Sequence, residues 1–398
     1  MRKLFIALLV GSFLVACGGP TGPDGPGGPG GDLSIKQVYT GIDTSFALLD
    51  DGRVLSWGRN SYGVLGNGTE LVGGSTPALI AGLTDVQSLA VARNAVFART
   101  DSGAWYAWGS TSSMGQEVQA DPNGVYSPQR VRDLGNAELH GAMFDFFLAH
   151  EPTGEVRGWG FNYDGQATGV PTRGVSSAQL TPATVPLGGL GVKLLAPVDV
   201  YSIAVMADDS LRFWGSAAYG PGANVSGLQG VVTIQPGLPA DRSIQQIAGA
   251  HFHVVVLLDD GSLWAWGGND YGQFGDPELL GGATAAELTA FPREPIRQVA
   301  TTSSGTVVLY EDGSVWRSGI ITPGRMDDFT VIDEPVIEYE AAKVEGLPPI
   351  AQVAANGTGH VLALAQDGDL WAWGANAHGE LGNGSTTDSA TPVRVGGF

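Results

Sequence analysis

From residue 33 onward, apolar residues come in short runs cut by glycine and aspartate. The long three-and-four spacing of an amphipathic helix is hard to find outside the first fifteen residues. A typical stretch runs Ser45-Phe46-Ala47-Leu48-Leu49, then Asp50-Asp51-Gly52, then Val54-Leu55-Ser56-Trp57-Gly58. Two apolar runs around Asp-Gly read as a β-hairpin, because glycine takes the positive φ that the turn needs. The same turn stands at Asp260-Gly261, Asp312-Gly313 and Asp367-Gly368. In the run after the turn, Trp264 and Trp266 alternate with Ala265, so the two indoles share one strand face. Trp371 and Trp373 repeat this. Such a face is expected to pack against a neighbouring sheet.

The hairpins recur. Trp-Gly ends a run at Gly58, Gly109, Gly160, Gly215, Gly267 and Gly374, and Ser318-Gly319 fills the one gap, at intervals of 51 to 55 residues. A second marker, Ile-x-Gln-Val/Ile, starts at Ile35, Ile244, Ile296 and Ile350, with a weaker copy at Val86. Each unit therefore predicts four strands: the Gln-marked strand, the apolar strand, the Trp-Gly strand and, after a glycine-rich loop, a proline-containing return. Seven units fill Ile35 to Phe398. One such sheet cannot bury both faces alone, and radial stacking solves that problem. The expected fold is all-β, a seven-bladed β-propeller of about 52-residue repeats over 33–398.

The pattern resembles one family, the regulator of chromosome condensation propellers. The text that carries the resemblance is VYTGIDTSFALLDDGRVLSWGRNSYGVLGNG from Val38, LWAWGGNDYGQFGD from Leu263, and Ile350 to Val395, the fullest copy. Units one, five and seven match best. Met114-Gly115 replaces the usual Gly-Gln-Leu-Gly start in unit two, and unit six lacks that segment. The resemblance implies a protein-binding scaffold. The ultraviolet-B receptor of plants shares the fold, but its Gly-Trp-Arg-His-Thr motif is absent here.

The N-terminus reads as an address. Arg2 and Lys3 precede the apolar stretch Leu4 to Val15, too short to span a bilayer, and Leu14-Val15-Ala16-Cys17 resembles a bacterial lipobox. Residues 1–16 are then a signal peptide, and Cys17, the chain's single cysteine, is the lipidated residue. Two or three acyl chains anchor stably, at roughly 0.8 kcal/mol per buried CH₂. Residues 17–32 form a Gly/Pro-rich tether spanning roughly 20 Å root-mean-square. The chain is expected at the cell envelope, in the outer membrane if the cell has one. With one cysteine, an intramolecular disulfide is impossible.

The formal charge is −20, and the first sixteen residues hold two of the twenty bases and no acid. So acidic a chain repels phosphate backbones, which argues against nucleic acid as a partner. The turn aspartates lack the D-x-D-x-D-G run of a calcium loop and are expected to serve their turns. His251 and His253 would share a strand face, yet no third metal ligand is indicated, and His253 and His360 stand at one repeat position. No cofactor or metal is expected. Asn60, Asn269 and Asn376 are expected to hydrogen-bond their own turns. Tyr62, Tyr219, Tyr271 and His378 share one loop position, and a ring of amphipathic side chains there is a candidate ligand face. Local packing over the loop is the plainer reading. The inserts 110–130, 165–190, 276–295 and 320–348 differ in every unit. The acidic-aromatic run in the last, MDDFTVIDEPVIEYE, reads as a solvated loop.

No G-x-S-x-G elbow, phosphate loop or H-E-x-x-H motif occurs. The expected function is a non-catalytic, monomeric binding module for an envelope or extracellular protein, joined to the membrane through Cys17. Two alternatives remain: an inhibitor of a secreted enzyme, like the beta-lactamase inhibitor protein of this propeller family, and a hydrolase or lyase using a polar central channel.

Overall fold

The computed structural model describes residues 34–115, 125–132, 134–172, 177–189, 191–216, 230–322, 325–327, 330–357 and 359–397. Cys17 and the tether lie outside them. Seven four-stranded antiparallel sheets follow one another along the chain; six consist of consecutive strands, and in the sixth a two-stranded ribbon interrupts the third and fourth. Blade 1 pairs Ile35–Thr40, Thr44–Leu49, Val54–Gly58 and Gly74–Leu79 in that order. Blade 7 does the same with Ile350–Asn356, His360–Ala365, Leu370–Gly374 and Ser389–Arg394. The protein is a seven-bladed β-propeller, as the repeat predicts.

The first strands surround a central cavity of about 390 Å³, lined chiefly by aliphatic residues and backbone. Here the Ile-x-Gln-Val marker finds its cause. The Gln246 amide accepts from Val299 N–H (3.0 Å) and donates to Arg297 C=O (2.8 Å) in blade 6. Gln298 holds Val353 of blade 7 from both sides (3.1 and 2.7 Å), and Gln352 takes Val38 N–H of blade 1 (3.1 Å). A primary amide mimics a peptide group, so one side chain lets two strands that do not pair share hydrogen bonds.

The tryptophans lie between blades. Trp266 is fully buried in a cluster with Ile203, Val205 and Phe213 of blade 4, and Trp264 packs against the same cluster. Trp373 and Trp371 share the corresponding cluster with blade 6.

The glycine after each tryptophan has a backbone cause. In all seven blades it takes φ between 91° and 106°. A Cβ there would lie 1.9–2.6 Å from the carbonyl oxygen just before the second strand, for instance Asn94 O at 2.1 Å from Gly109. The kink aims the next N–H at that carbonyl, as in Arg59 N to Asp43 O (2.8 Å) and Ile320 N to Ser304 O (2.9 Å). Only glycine meets both demands, which is why Gly319 persists in blade 6 where the tryptophan is Ser318.

The fourth strands carry prolines at Pro77, Pro128, Pro182 and Pro392. They are the outer edges, where a missing N–H costs no ladder bond and blunts pairing with another molecule. The expectation that the acidic run 326–340 is a solvated loop needs correction. Val315–Thr322 and Val336–Lys343 are paired eight-residue strands of blade 6, and Arg325–Asp327 pairs with Thr330–Asp333 beyond them. Glu338, Glu340 and Lys343 put charges on this edge strand. Arg317 secures it with two bonds to the Glu338 carboxylate (3.0 and 2.9 Å).

Candidate functional site: the loop face

Two kinds of connection share one face of the propeller: the turn from first to second strand, and the long loop from third to fourth. The aspartates of the opposite hairpins serve their turns there. Asp51, Asp260, Asp312 and Asp367 each accept the N–H two residues ahead, at 2.8–3.1 Å.

On the loop face, an asparagine at the start of the loop sets the geometry in blades 1, 3, 5 and 7. Asn269 Oδ1 accepts Phe274 N–H (2.8 Å) while Nδ2 donates to Asp276 O (3.0 Å) and Leu279 O (2.8 Å). Asn376 and Asn60 make the same set, as does Asn162 in blade 3. A satisfied amide at the loop's centre fixes the residues above it.

Those residues include the sequence candidates. Tyr62 is 49% exposed, Tyr271 is 40% exposed, and His378 is exposed on blade 7. Tyr219 lies outside the described residues. The structure adds Tyr163, 48% exposed, and Phe252 at 37%. Tyr163 stands one residue earlier in its loop than Tyr62 does, which hid it from the repeat alignment. Phe252 comes from a first turn rather than a loop.

Beneath the rim, blades are latched. His253 and His360, expected at one repeat position, are fully buried. His360 Nε2 lies 3.0 Å from Ser45 Oγ of blade 1, and that hydroxyl donates to Glu380 C=O of blade 7 (2.8 Å). His253 meets Thr306 Oγ1 of blade 6 at 3.0 Å, and Thr306 donates to Gln273 C=O (2.7 Å). Each hydroxyl proton is committed to a carbonyl, so each histidine must supply its own Nε2 proton. A serine oriented this way is no nucleophile. Burial holds both imidazoles neutral, at pKa about 3 for His253 and about 4 for His360. Carbonyls at the same loop position receive two of the tryptophans: Trp57 Nε1 donates to Glu380 O (2.8 Å) and Trp108 Nε1 to Val64 O (2.7 Å). In blade 6, Ser318 Oγ makes that bond to Gln273 O (2.9 Å).

The expectation that His251 and His253 share a strand face also needs correction. His251 precedes the strand, which starts at His253. Its Nδ1 pairs with buried Asp199 of blade 4, again across a blade boundary. Glu380 is a second feature missed in the sequence. It is 2% exposed, accepts His378 N–H (2.8 Å), and burial pushes its pKa up to about 7, helped by Asp43 and Asp388. Blades 3 and 5 carry Gln166 and Gln273 in that place, each with the same bond at 3.0 Å.

At the axis, Gly357 N–H of blade 7 donates to Met143 Sδ of blade 3 (3.0 Å), so Met143 crosses the channel mouth on this face. Beside it a cleft of about 270 Å³ opens over blades 1 to 3. Asp43, Asn94 and Asp145, one per blade, line it with Arg59, Arg93 and Tyr62. Arg59 reaches Asp43 at 3.1 Å. Asp145 accepts both N–H (2.8 Å) and Nδ2 (2.6 Å) of Asn94, and burial raises its pKa.

A rigid ring with side chains displayed above latched loops defines a propeller scaffold for surface recognition. The comparisons with known proteins agree on its kind. The regulator of chromosome condensation (RCC1) repeat matches residues 35–64, 244–273 and 350–380, and a second description of the repeat matches 51–98 and 367–398. The ultraviolet-B receptor UVR8 of Arabidopsis thaliana is 25% identical over 89% of this chain and 80% of its own length. The human E3 ubiquitin-protein ligase HERC2 is 27% identical over 86% of this chain, which spans 7% of that protein. Among solved structures, Prp20p from Saccharomyces cerevisiae superposes with a TM-score of 0.69 at 20% identity, over 92% of this chain and 88% of that one. Human WBSCR16 superposes with a TM-score of 0.71 at 18% identity, over 86% and 94%. Blades 1, 5 and 7, with the start of blade 2, match the RCC1 repeat, on a fold this chain shares with those propellers.

Proposed function

We propose that this propeller is a protein-binding module, carried at the cell envelope by a lipid on Cys17, that engages its partner with the loop face. The observation that carries the reading is the set of exposed aromatics on one rigid face: Tyr62, Tyr163, Phe252 and Tyr271, with His378. Tyrosines with few rotamers on pre-set loops lose little entropy on binding and supply large contact area. The loops above a scaffold are where binding resides. Relatives of the fold support a protein partner: Prp20p is described by its binding to Gsp1p and histones, and yeast RCC1 has been crystallised bound to Kap60. The cavity at the axis is lined chiefly by aliphatic side chains and backbone, with His140, Gln298 and Gln352.

The test is affinity capture from the envelope and secreted fractions of the producing cell. The purified chain is compared with a Tyr62→Ala/Tyr271→Ala variant. A protein retained by the parent and lost on the variant supports the reading; equal retention moves the site off this face. Labelling with a radioactive fatty acid, abolished by Cys17→Ser, tests the anchor.

A further inference from the structure

We infer that the cleft over blades 1 to 3 receives an acidic side chain of the protein partner, held by Arg93 and Arg59; this rests on the loop-face reading above. The chain carries forty acids against twenty bases, and most arginines are tied to a carboxylate of their own blade or its neighbour, as Arg297 is to Glu311 and Arg317 to Glu338. Arg93 is different. It is exposed, it lines the cleft, and among the described residues it makes no hydrogen bond or ion pair. Its guanidinium carbon sits 5.8 Å from the centre of the Phe144 ring of blade 3. A cation stacked on an aromatic face is partly stripped of water and held flat, with its N–H edge still open.

Asp145 attracts Arg93 but does not bond it. Asp145 points both carboxylate oxygens at Asn94, whose N–H and Nδ2 occupy them. Across the cleft Arg59 gives Nη1 to Asp43 and keeps its other donors. Tyr62 closes one wall, half exposed, so an entering side chain meets a ring beside the charge. A planar donor edge next to a tyrosine fits a carboxylate, which takes two parallel N–H bonds. The two carboxylates of the cleft are already engaged, Asp43 with Arg59 and Asp145 with Asn94, so the open charge left to an incoming group is that of Arg93. The first turns that build the cleft, at Asp43, Asn94 and Asp145, are each fixed to the next element by backbone bonds, so the site is formed before the partner arrives.

The experiment is selection of twelve-residue peptides from a random displayed library on the purified chain at 150 mM salt. The winners are then measured by calorimetry against the parent and the Arg93→Glu, Arg93→Lys, Arg59→Glu and Tyr271→Ala variants. Arg93 is exposed, so Arg93→Glu should keep the parent's melting temperature. The expected winners share an Asp or Glu. Changing it to Asn or Gln weakens binding at least 10-fold, Arg93→Glu weakens it 10- to 100-fold, and Arg93→Lys keeps part of it. Winners that need Tyr271 yet bind Arg93→Glu as tightly as the parent overturn the acidic cleft and leave the loop face standing. Winners indifferent to every one of these variants, or no winners at all, overturn both.

Discussion

His360 and Ser45 are 315 residues apart in the chain and 3.0 Å apart in the ring. They belong to blades 7 and 1, and no strand passes between those blades. The ring is therefore closed mainly by side chains, namely this latch, the Gln352 amide on Val38 and Trp57 on the Glu380 carbonyl, together with the backbone bond from Gly384 N–H to Ser75 C=O (2.8 Å). His360→Ala removes a buried ring and leaves Ser45 with one partner. It should cost about 2–4 kcal/mol, from the cavity and the lost bond together. Urea unfolding measures it, and a loss below about 0.5 kcal/mol would show that the latch does not hold the seam.

The latch histidines make stability depend on acid. Both have folded pKa values depressed below 6.5, to about 4 for His360 and about 3 for His253. Their contribution is complete above pH 6.5 and is lost as pH falls toward those values, because the unfolded chain binds the protons first. For His360 alone the limiting loss is about 3 kcal/mol, at about 1.4 kcal/mol per pH unit. Melting temperature against pH should fall more steeply from 6.5 to 4 in the parent than in His253→Gln/His360→Gln. Parallel curves would contradict this.

Glu380 works in the other direction. Its folded pKa is raised from 4.5 to about 7, so the stability of the protonated form is complete below pH 4.5 and lost as pH rises through 7. Glu380→Gln, which copies Gln166 and Gln273, should be close to neutral at pH 5 and stabilising by about 2–3 kcal/mol at pH 8. Chemical denaturation at the two pH values decides it; an equal effect at both would mean that Glu380 is ionised throughout.

The tryptophan bond and the tryptophan bulk can be separated. Trp108→Phe keeps most of the packing and orphans the Val64 carbonyl, for about 1–2 kcal/mol. Trp108→Ala should cost about 3–5 kcal/mol. Gly109→Ala should be worse than its size suggests, since it needs φ of 105° and puts Cβ 2.1 Å from Asn94 O. Expression and thermal melting of the three variants give the order.

The fold was legible because its markers answer to backbone geometry. Gly319 could be aligned without its tryptophan because the kink demands glycine whatever precedes it. Gln298 and Gln352 marked the inner strands because each must reach the next blade. The site was less legible. Tyr163 fell out of the alignment by one residue, yet the same asparagine, Asn162, places its loop. Asp43, Asn94 and Asp145 recur every 51 residues, a signal that was present but unreadable, since a shared position says nothing of which neighbour each side chain meets. The burial of Glu380 is a property of two blades at once, and no single repeat contains it.

Contiguous blades also make the choice of chain ends arbitrary. No sheet pairs its strands with the next, so a circular permutant opened within residues 80–85, between the Leu79 and Val86 strands, should close into the same ring once the present ends are joined by a linker of similar length. Equally, a duplicated blade meets no strand that has to be re-paired. In such an architecture blade number is a matter of circumference, set by how many wedges complete the circle.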